Sequence, residues 1–406
     1  MTAVEASTLV QRPRPGVMPL LGPAFVTAIA YVDPGNFATN VSAGSRFGYL
    51  LVWVVVVSNL TAMLIQYLSA KVGVATGRSL PALCRDHYPR QVVWGLWLQA
   101  EVVAIATDLA EVVGGAIALQ ILFGMPLVRG GIVTGVVGFA MLGLRRKGRR
   151  PFEVAVTGLL LVILVGFVVD AVTAGIHPAP ILAGVVPRLA GADSLMLAAG
   201  MLGATVMPHA IYLHGGLTCG HPDRGHTTEE VLRAQRVDVV AAMSVAGVMN
   251  LLLLVVAASA LSGRGIDSIA GAHSELASSV GGGAALLFAC ALLASGLAAS
   301  SVGTLSGDVI MAGFLRRRVP VVLRRLVTVM PALAVLASGI DPTRALLLSQ
   351  VVLSFGIPFA LVPLVHLTAR RDVIGELVNR RLTTVLGAGC AVIVIALNAV
   401  LVLATV

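Results

Sequence analysis

Two short segments of this chain place polar side chains inside long apolar stretches. The first reads Asp-Pro-Gly-Asn at 33–36, and the second reads Met-Pro-His at 207–209. Asp33 offers a carboxylate, and Asn36, three residues later, offers an amide oxygen on the same side of a local turn. A carboxylate in the middle of a membrane helix costs about 2.5–3.5 kcal/mol, so these residues indicate a functional site.

The neighbouring groups predict what this site binds. Proline removes a backbone donor and breaks a helix, which frees carbonyl groups such as those of Ala30 and Ala204. Oxygen ligands alone suit Mg²⁺ or Ca²⁺, whereas the thioether of Met207 favours a transition metal such as Mn²⁺ or Fe²⁺. Methionine is more often a flexible filler of protein cores, and for Met207 that interpretation stays open.

A second set of polar residues could move protons or pair charges. Glu101, Asp108 and Glu111 are spaced by 7 and 3 residues in the third apolar stretch. At about 100° per residue this spacing places them within an arc about 80° wide on one helix face. Arg324 and Arg325 begin the ninth stretch at an overlapping depth, and buried acids and arginines are expected to pair.

Two histidines extend this polar set. His209 and His214 lie in the inner half of the sixth stretch and have side chains that titrate near neutral pH. Together with the acids and arginines they form either a proton route or a group of static ion pairs that join helices. The residues alone leave both interpretations open. Asp170, Asp238 and Asp308 lie near the ends of predicted helices, where we expect water to solvate them.

The composition identifies the elements that carry these residues. Of 406 residues, 57% are hydrophobic and 12% are charged, with a mean hydropathy of +0.95. A soluble domain carries about 25% charged residues. Continuous apolar runs of about 20 residues predict membrane-spanning helices rather than the alternating strands of a barrel. The net charge of +9 does not come from a separate basic domain, so we expect no nucleic-acid partner.

We predict an all-α integral membrane protein with eleven transmembrane helices and one transporter domain over residues 17–406. Residues 1–16 are predicted to form a disordered cytoplasmic N-terminus. The predicted helices lie at 17–44, 48–75, 93–123, 125–144, 152–174, 194–217, 237–262, 276–315, 320–338, 345–367 and 382–405.

The basic residues orient these helices. With the N-terminus inside, 23 of the 28 Lys and Arg residues fall in cytoplasmic segments. The five on the outer side are Arg46, Arg129, Arg188, Arg264 and Arg344. This asymmetry predicts a multi-pass protein of the cell (inner) membrane, with a cytoplasmic N-terminus and the C-terminus outside.

The two breaks also predict an internal symmetry. Pro34 lies near the middle of the first helix and Pro208 near the middle of the sixth. The second break comes five helices after the first, so the halves at about 17–174 and 194–367 would have opposite orientations, and helix 382–405 would be an addition. Broken helices at matching positions of inverted repeats indicate the binding site of a secondary transporter.

The motifs resemble those of the Nramp family of proton-coupled divalent-metal transporters. The resemblance covers nearly the whole chain and rests on "DPGN", "GATVMPHAIYLH", "ATDLAEVVGGAIAL" and "LSQVVLSFGIPFALVPL". It implies a leucine-transporter-type fold of two inverted five-helix repeats with broken helices 1 and 6. It also implies import of Mn²⁺ or Fe²⁺ with protons, both as transported substrates, without a resident cofactor, enzymatic activity or an obligate protein partner.

The resemblance also implies roles for individual residues. The implied metal ligands are Asp33, Asn36, Met207, the carbonyls of Ala30 and Ala204, and, in some conformations, Gln350. The implied proton pathway contains Asp33, Glu101, Asp108, Glu111, His209, His214, Arg324 and Arg325. Magnesium-transporting relatives replace the methionine, so Met207 argues against that branch.

Three other functions agree less well with these residues. A sodium-coupled amino-acid symporter would share the fold, but the carboxylate and thioether at the break argue against it. An intramembrane metalloenzyme needs a ligand triad with an open water position, and His209 and His214 are five residues apart without an HExxH pattern. A channel is disfavoured because paired helix breaks are typical of alternating access.

Overall fold

The structure is a computed structural model that describes residues 22–146, 149–175, 178–219, 227–266, 268–316 and 320–405. The predicted disordered segment 1–16 lies outside these residues. The longer helices and helix halves are α1 (Pro23–Ala28), α2 (Pro34–Phe47), α3 (Val52–Thr76), α4 (Leu80–His87), α5 (Arg90–Phe123), α6 (Leu127–Arg146), α7 (Arg149–Thr173), α8 (Pro178–Gly184), α9 (Ala192–Thr205), α10 (Pro208–Thr218), α11 (Thr228–Ala260), α12 (Ile269–Ser279), α13 (Gly282–Leu315), α14 (Val321–Ala337), α15 (Pro342–Thr368), α16 (Arg371–Ile374) and α17 (Arg381–Thr405). Short 3₁₀ turns occupy Ile29–Val32 and Gly375–Leu377.

The described part of the chain is helical and contains no strand, which confirms the predicted all-α class. Seven of its helices, with α9 and α10 taken together, are long and apolar enough to cross a membrane, and the bent pair of α7 and α8 makes eight. The first and fourth predicted helices contain the shorter apolar helices Pro23–Val32 and Leu127–Met141. The helix α14, with 17 residues, corresponds to the ninth.

Two of the differences from the predicted helix boundaries have a clear local cause. The predicted helix 276–315 is divided, because Gly281 between α12 and α13 has a φ of 127°, a conformation that glycine adopts without steric cost. The predicted helix 237–262 begins earlier, at Thr228. A capping box there joins Thr227 and Glu230, which satisfies two backbone donors of the first turn. A pattern of apolar residues does not predict such a polar cap, so the predicted helix begins too late.

Small residues bring the central helices together. The helix α13 packs along α5, and a Cβ atom added at Gly296 would lie 3.2 Å from the carbonyl oxygen of Glu111 and the amide nitrogen of Gly115. Glycine at such a contact lets two helix backbones approach closely. This packing holds the acidic helix α5 beside the centre of the protein.

The expected solvation of two aspartates was wrong. Asp238 is 1% exposed, and its carboxylate accepts hydrogen bonds from the amides of Gly22 and Ala24 at 2.9–3.1 Å. It therefore caps the first turn of α1, whose amide groups have no helical acceptors. Asp170 is also fully buried in α7.

Candidate functional site

The two helix breaks have the same local construction. Asp33 separates the 3₁₀ turn from α2 and is extended, with φ −78° and ψ 169°. Met207 separates α9 from α10 and is also extended, with φ −77° and ψ 123°. Each precedes a proline, Pro34 or Pro208, at the first helical position. Proline disfavours the helical conformation in the residue before it and suits the first position of a new helix, so the sequence dictates both breaks.

The same two prolines free the two carbonyl groups singled out in the sequence. In a continuous helix the carbonyl of Ala30 would accept from the amide of residue 34, and that of Ala204 from the amide of residue 208. Both of those residues are proline and have no N–H group. Ala30 is 2% exposed and Ala204 0%, so bulk water does not reach them.

Asn36 connects the two breaks. Its side-chain amide donates to Oδ1 of Asp33 and to the carbonyl oxygen of Ala204, both at 2.8 Å. The backbone amide of Asn36 also donates to Oδ1 of Asp33 at 2.8 Å. The carboxylate of the first break therefore lies close to the end of α9 in the second break. Met207 begins the next half-helix three residues after Ala204 and is completely buried.

Several oxygen atoms at this junction are buried and accept no hydrogen bond from any residue that the structure describes. They are Oδ2 of Asp33, Oδ1 of Asn36 and Oε1 of Gln350. Their residues are at most 1% exposed. A buried polar atom without a partner costs free energy, and buried carboxylates are normally paired or bound to a metal. These acceptors suit a cation.

Gln350 reaches the junction from α15. Its side chain occupies the space in which a Cβ atom at Gly35 would lie. Its amide nitrogen donates to the hydroxyl of Ser349 at 3.1 Å, and its amide oxygen accepts from no group among the described residues. A side chain at position 35 would displace Gln350, so the glycine of the Asp-Pro-Gly-Asn motif also provides room for this residue.

Two residues outside the predicted site stabilise the first break. The hydroxyl of Ser295 donates to the carbonyl of Val32 at 2.6 Å, and the amide of Asn250 donates to the carbonyl of Tyr31 at 2.7 Å. They belong to α13 and α11 and replace the missing helical donors. An asparagine within an apolar helix was a visible signal at position 250, whereas a serine gives almost none.

The break is packed directly onto the acidic helix. The ring of Pro34 lies against Gly114 of α5, in the space that a Cβ atom at Gly114 would fill. Glu111 is three residues before Gly114 and therefore lies one turn away on the same face. The proposed metal site and the acidic residues are thus adjacent in the structure.

Arg325 is the centre of the buried charges. Its Nη1 atom lies 2.5 Å from Oδ1 of Asp108 and 3.7 Å from Oε2 of Glu111. It also donates to the hydroxyls of Ser300 and Thr304 on α13. Both carboxylate oxygens of Glu111 lack a hydrogen-bond donor among the described residues. One arginine therefore faces two buried carboxylates.

The pair nearer the N-terminal end of α5 is looser. Arg324 Nε lies 3.8 Å from Oε2 of Glu101, and the Glu101 side chain is 19% exposed. Arg324 also donates weakly to the carbonyl of Thr304 at 3.4 Å. The acids of α5 and their arginine partners therefore extend from the partly exposed Glu101 to the buried Glu111.

The two histidines lie on different sides of α10. His209 Nδ1 is 3.2 Å from the hydroxyl of Thr107 on α5, next to Asp108 in sequence. His214 Nδ1 is 2.7 Å from Oε1 of Gln66 on α3, and Gln66 in turn donates to the hydroxyl of Tyr31 at 2.5 Å. The structure therefore joins His209 to the acidic helix and His214 to a separate polar chain.

Two interrupted helices that meet at buried, donor-free oxygens inside an apolar helical bundle are the arrangement typical of secondary transporters. The comparisons with known proteins agree with this class. The sequence profile described as "Natural resistance-associated macrophage protein-like" matches residues 24–404. The chain belongs to the Nramp family.

Similar sequences are named as transporters. A "Divalent metal cation transporter MntH" from Deinococcus radiodurans is 52% identical over 387 residues, which cover 94% of this chain and 89% of that protein. The protein of the same name from Bacillus subtilis is 46% identical over 397 residues, which cover 96% and 93%.

Similar solved structures support the fold. A manganese transporter from Eremococcus coleocola, in complex with an aromatic bis-isothiourea substituted compound, has a TM-score of 0.85 and 31% identity, covering 98% of this chain and 90% of that chain. Mhp1, a nucleobase-cation-symport-1 family transporter, has a TM-score of 0.64 at 14% identity, covering 95% and 92%. MhsT has the same TM-score at 10% identity, covering 95% and 98%. The last two likenesses show the fold alone.

Proposed function

We propose that this protein imports a divalent transition metal, Mn²⁺ or Fe²⁺, together with protons, by alternating access across the cell membrane. Its Nramp membership and the relatives named as divalent metal cation transporters support metal transport rather than catalysis. The metal and the proton are transported substrates and need no resident cofactor.

One observation carries the proposal. At the point where Asn36 joins the two helix breaks, Oδ2 of Asp33 and Oδ1 of Asn36 are buried with no donor in the described part of the chain. A cation there would gain a carboxylate, an amide oxygen and the carbonyls freed by the two prolines. Met207, at the start of α10, would supply a soft ligand that favours Mn²⁺ or Fe²⁺ over Ca²⁺ and Mg²⁺. Gln350 would join in those conformations that bring it to the ion.

The same function requires the full predicted topology. Eleven transmembrane helices would form two inverted repeats at about 17–174 and 194–367, followed by the helix 382–405. The 23-to-5 distribution of basic residues supports a cytoplasmic N-terminus and an external C-terminus. This orientation places the Glu101 end of α5 near the cytoplasm and its Glu111 end near the metal site.

Proton movement would use the charges that extend from this site. Asp33 would bind either a proton or the metal, because an arriving cation displaces a proton from a carboxylate ligand. Glu111, Asp108, Arg325 and His209 would continue the route along α5, towards Glu101 and Arg324. His214 would take part through the separate chain that contains Gln66.

The proposed function is tested by uptake into proteoliposomes that contain the purified protein. We expect accumulation of Mn²⁺ and Fe²⁺ but little of Mg²⁺ and Ca²⁺, faster uptake with an inward proton gradient, and acidification of the lumen during uptake. Uptake of metal without any proton flux would contradict the coupling. Sodium-dependent uptake of an amino acid without metal uptake would support the alternative symporter function.

A further inference from the structure

A basic cavity of about 600 Å³ lies where α3 ends and where α11 and α17 begin. Its charged lining residues are Lys71, Arg233, Arg236, Arg380, Glu229 and Glu376. The lining therefore has a formal charge of +2. All four basic residues belong to segments that the positive-inside distribution assigns to the cytoplasm.

The four basic residues of this cavity form no ion pair within the described part of the chain. Glu376 accepts from Arg371, outside the cavity, at 3.1 Å. Lys71 donates to the side-chain oxygen of Asn379 at 2.8 Å, an uncharged partner. Among the residues that the structure describes, no carboxylate oxygen lies within 4.0 Å of the four cavity cations. The cavity thus offers several charged donors to an anion.

A second basic cavity, of about 520 Å³, provides an internal comparison. Its arginines are Arg78, Arg85 and Arg316, and all three lie within ion-pair distance of the same carboxylate, Asp86. Their charge is therefore partly satisfied by the protein itself. An anion would have to compete with Asp86 there, whereas in the first cavity neither Glu229 nor Glu376 forms an ion pair with a lining cation among the described residues.

One arginine of the first cavity is held in place. The guanidinium of Arg236 lies over the ring of Tyr67, 5.2 Å from its centroid, and donates to the tyrosine hydroxyl at 3.3 Å. Stacking on an aromatic ring orients an arginine while leaving other N–H groups available. Tyrosine is enriched at the membrane interface, which agrees with this depth.

The surface beside the cavity changes from charged to apolar. On α11, the exposed Arg233 and Arg236 are followed by Val237 and Val240, which are 58% and 50% exposed. Seven residues separate Arg233 from Val240, about 10 Å along the helix. On α17, Leu382 is 69% exposed. An anion bound here would have an apolar surface directly next to it, as a lipid requires and a free ion does not.

We propose that this cavity binds the phosphate group of an anionic phospholipid of the inner leaflet, with the acyl chains against the exposed faces of α11 and α17. The phosphate would accept hydrogen bonds from Arg233, Arg236 and Arg380, with Lys71 behind them. Basic pockets between membrane helices on the cytoplasmic side are suited to such headgroups. The lipid would fill the space between α11 and the beginning of α17.

Native mass spectrometry of the delipidated full-length protein tests this site. The probes are dioctanoyl-phosphatidylglycerol, dioctanoyl-phosphatidylcholine with the same chains, and inorganic phosphate. We expect wild type to retain the anionic lipid about tenfold better than the zwitterionic one. Arg233→Gln/Arg236→Gln should lose this preference, while Arg78→Gln/Arg316→Gln removes the same charge from the other cavity and should keep it.

The milder variant Arg380→Gln should reduce the preference partially, so the test holds even if the double variant does not fold. The proposal would be overturned if Arg233→Gln/Arg236→Gln and Arg380→Gln kept the same preference for the anionic lipid as wild type. Displacement of the lipid by inorganic phosphate at an equal concentration would also overturn it, because the site would then recognise the anion without the chains. Metal uptake by Arg380→Gln should stay near wild type, which separates this inference from the proposed transport function.

Discussion

Asp33 and Met207 occupy equivalent positions in the two helix breaks: each is the extended residue before a proline that begins a new half-helix. The carboxylate and the thioether proposed as metal ligands are therefore positioned by the same backbone conformation. Asn36 joins the two breaks through the carbonyl of Ala204. The proposed preference for transition metals rests on this pairing, in which one break offers a hard ligand and the other a soft one.

The contact between Pro34 and Gly114 is predicted to be necessary for transport. A methyl group in Gly114→Ala would occupy the space of the Pro34 ring, and overpacking typically costs about 1–3 kcal/mol. To relieve this steric overlap, the first break would have to move away from α5. We expect Mn²⁺ uptake to fall several-fold at equal protein levels.

The control for this variant is Gly158→Ala in α7, where an added Cβ meets no atom within 4 Å. Alanine also favours a helix over glycine by up to about 1 kcal/mol. Uptake by this control should therefore equal that of wild type. A Gly114→Ala protein with normal uptake would show that the Pro34 contact has no functional role.

Arg325 is predicted to stabilise the protein as well as the proton route. Arg325→Ala leaves Asp108 and Glu111 without their positive partner, and breaking a buried ion pair costs about 3–5 kcal/mol. Arg46→Ala breaks the exposed pair with Asp193 and should cost about 0–1 kcal/mol. Thermal unfolding in detergent compares the two variants. Equal loss of stability in both would contradict the central position of Arg325.

The proton route is predicted to separate from metal binding. Glu111→Gln and His209→Ala each change a group close to the metal site that is not a proposed ligand. Both should impair proton flux, or its dependence on voltage and pH, more than Mn²⁺ affinity. Calorimetry measures the affinity, and a pH-sensitive dye in proteoliposomes measures the flux. Lost metal binding with intact proton flux would mean that the roles are reversed.

Met207 is predicted to determine selectivity. In Met207→Ala, a water molecule can replace the thioether and provide the oxygen that hard cations prefer. Mn²⁺ uptake should remain substantial, and Cd²⁺ uptake should fall most. Ca²⁺ should compete with Mn²⁺ about tenfold better, which corresponds to a loss of about 1.4 kcal/mol in the discrimination between the two ions. Unchanged discrimination against Ca²⁺ would mean that Met207 only fills space.

The sequence could predict the helical class and the two breaks because apolar length and proline act locally. The equivalent placement of Pro34 and Pro208 needed no tertiary information. The role of Asp238 was missed, because the amides that it caps belong to α1, more than 200 residues away in the chain. Ser295 was missed for a similar reason: its donor role exists only because α13 passes the break.

The histidines illustrate the same limit. Both lie on α10 and were predicted to belong to one polar route, but five residues on a helix correspond to about 500° of rotation, so the two side chains point in different directions. His209 faces α5, and His214 faces α3. Which neighbour lies on each face depends on the packing of α10 between these helices, and the sequence pattern of one helix does not contain that information.

The most direct test of the account is Mn²⁺ binding and uptake by Asp33→Asn. Asparagine keeps the size of the side chain and an oxygen that can accept from Asn36, but it removes the negative charge from the break. We expect the protein to fold, while Mn²⁺ affinity and uptake fall about a hundredfold, which corresponds to about 2.7 kcal/mol. The exposed control Asp193→Asn should bind and transport as wild type does. Near wild-type Mn²⁺ uptake by Asp33→Asn would contradict the central claim that this carboxylate binds the transported metal.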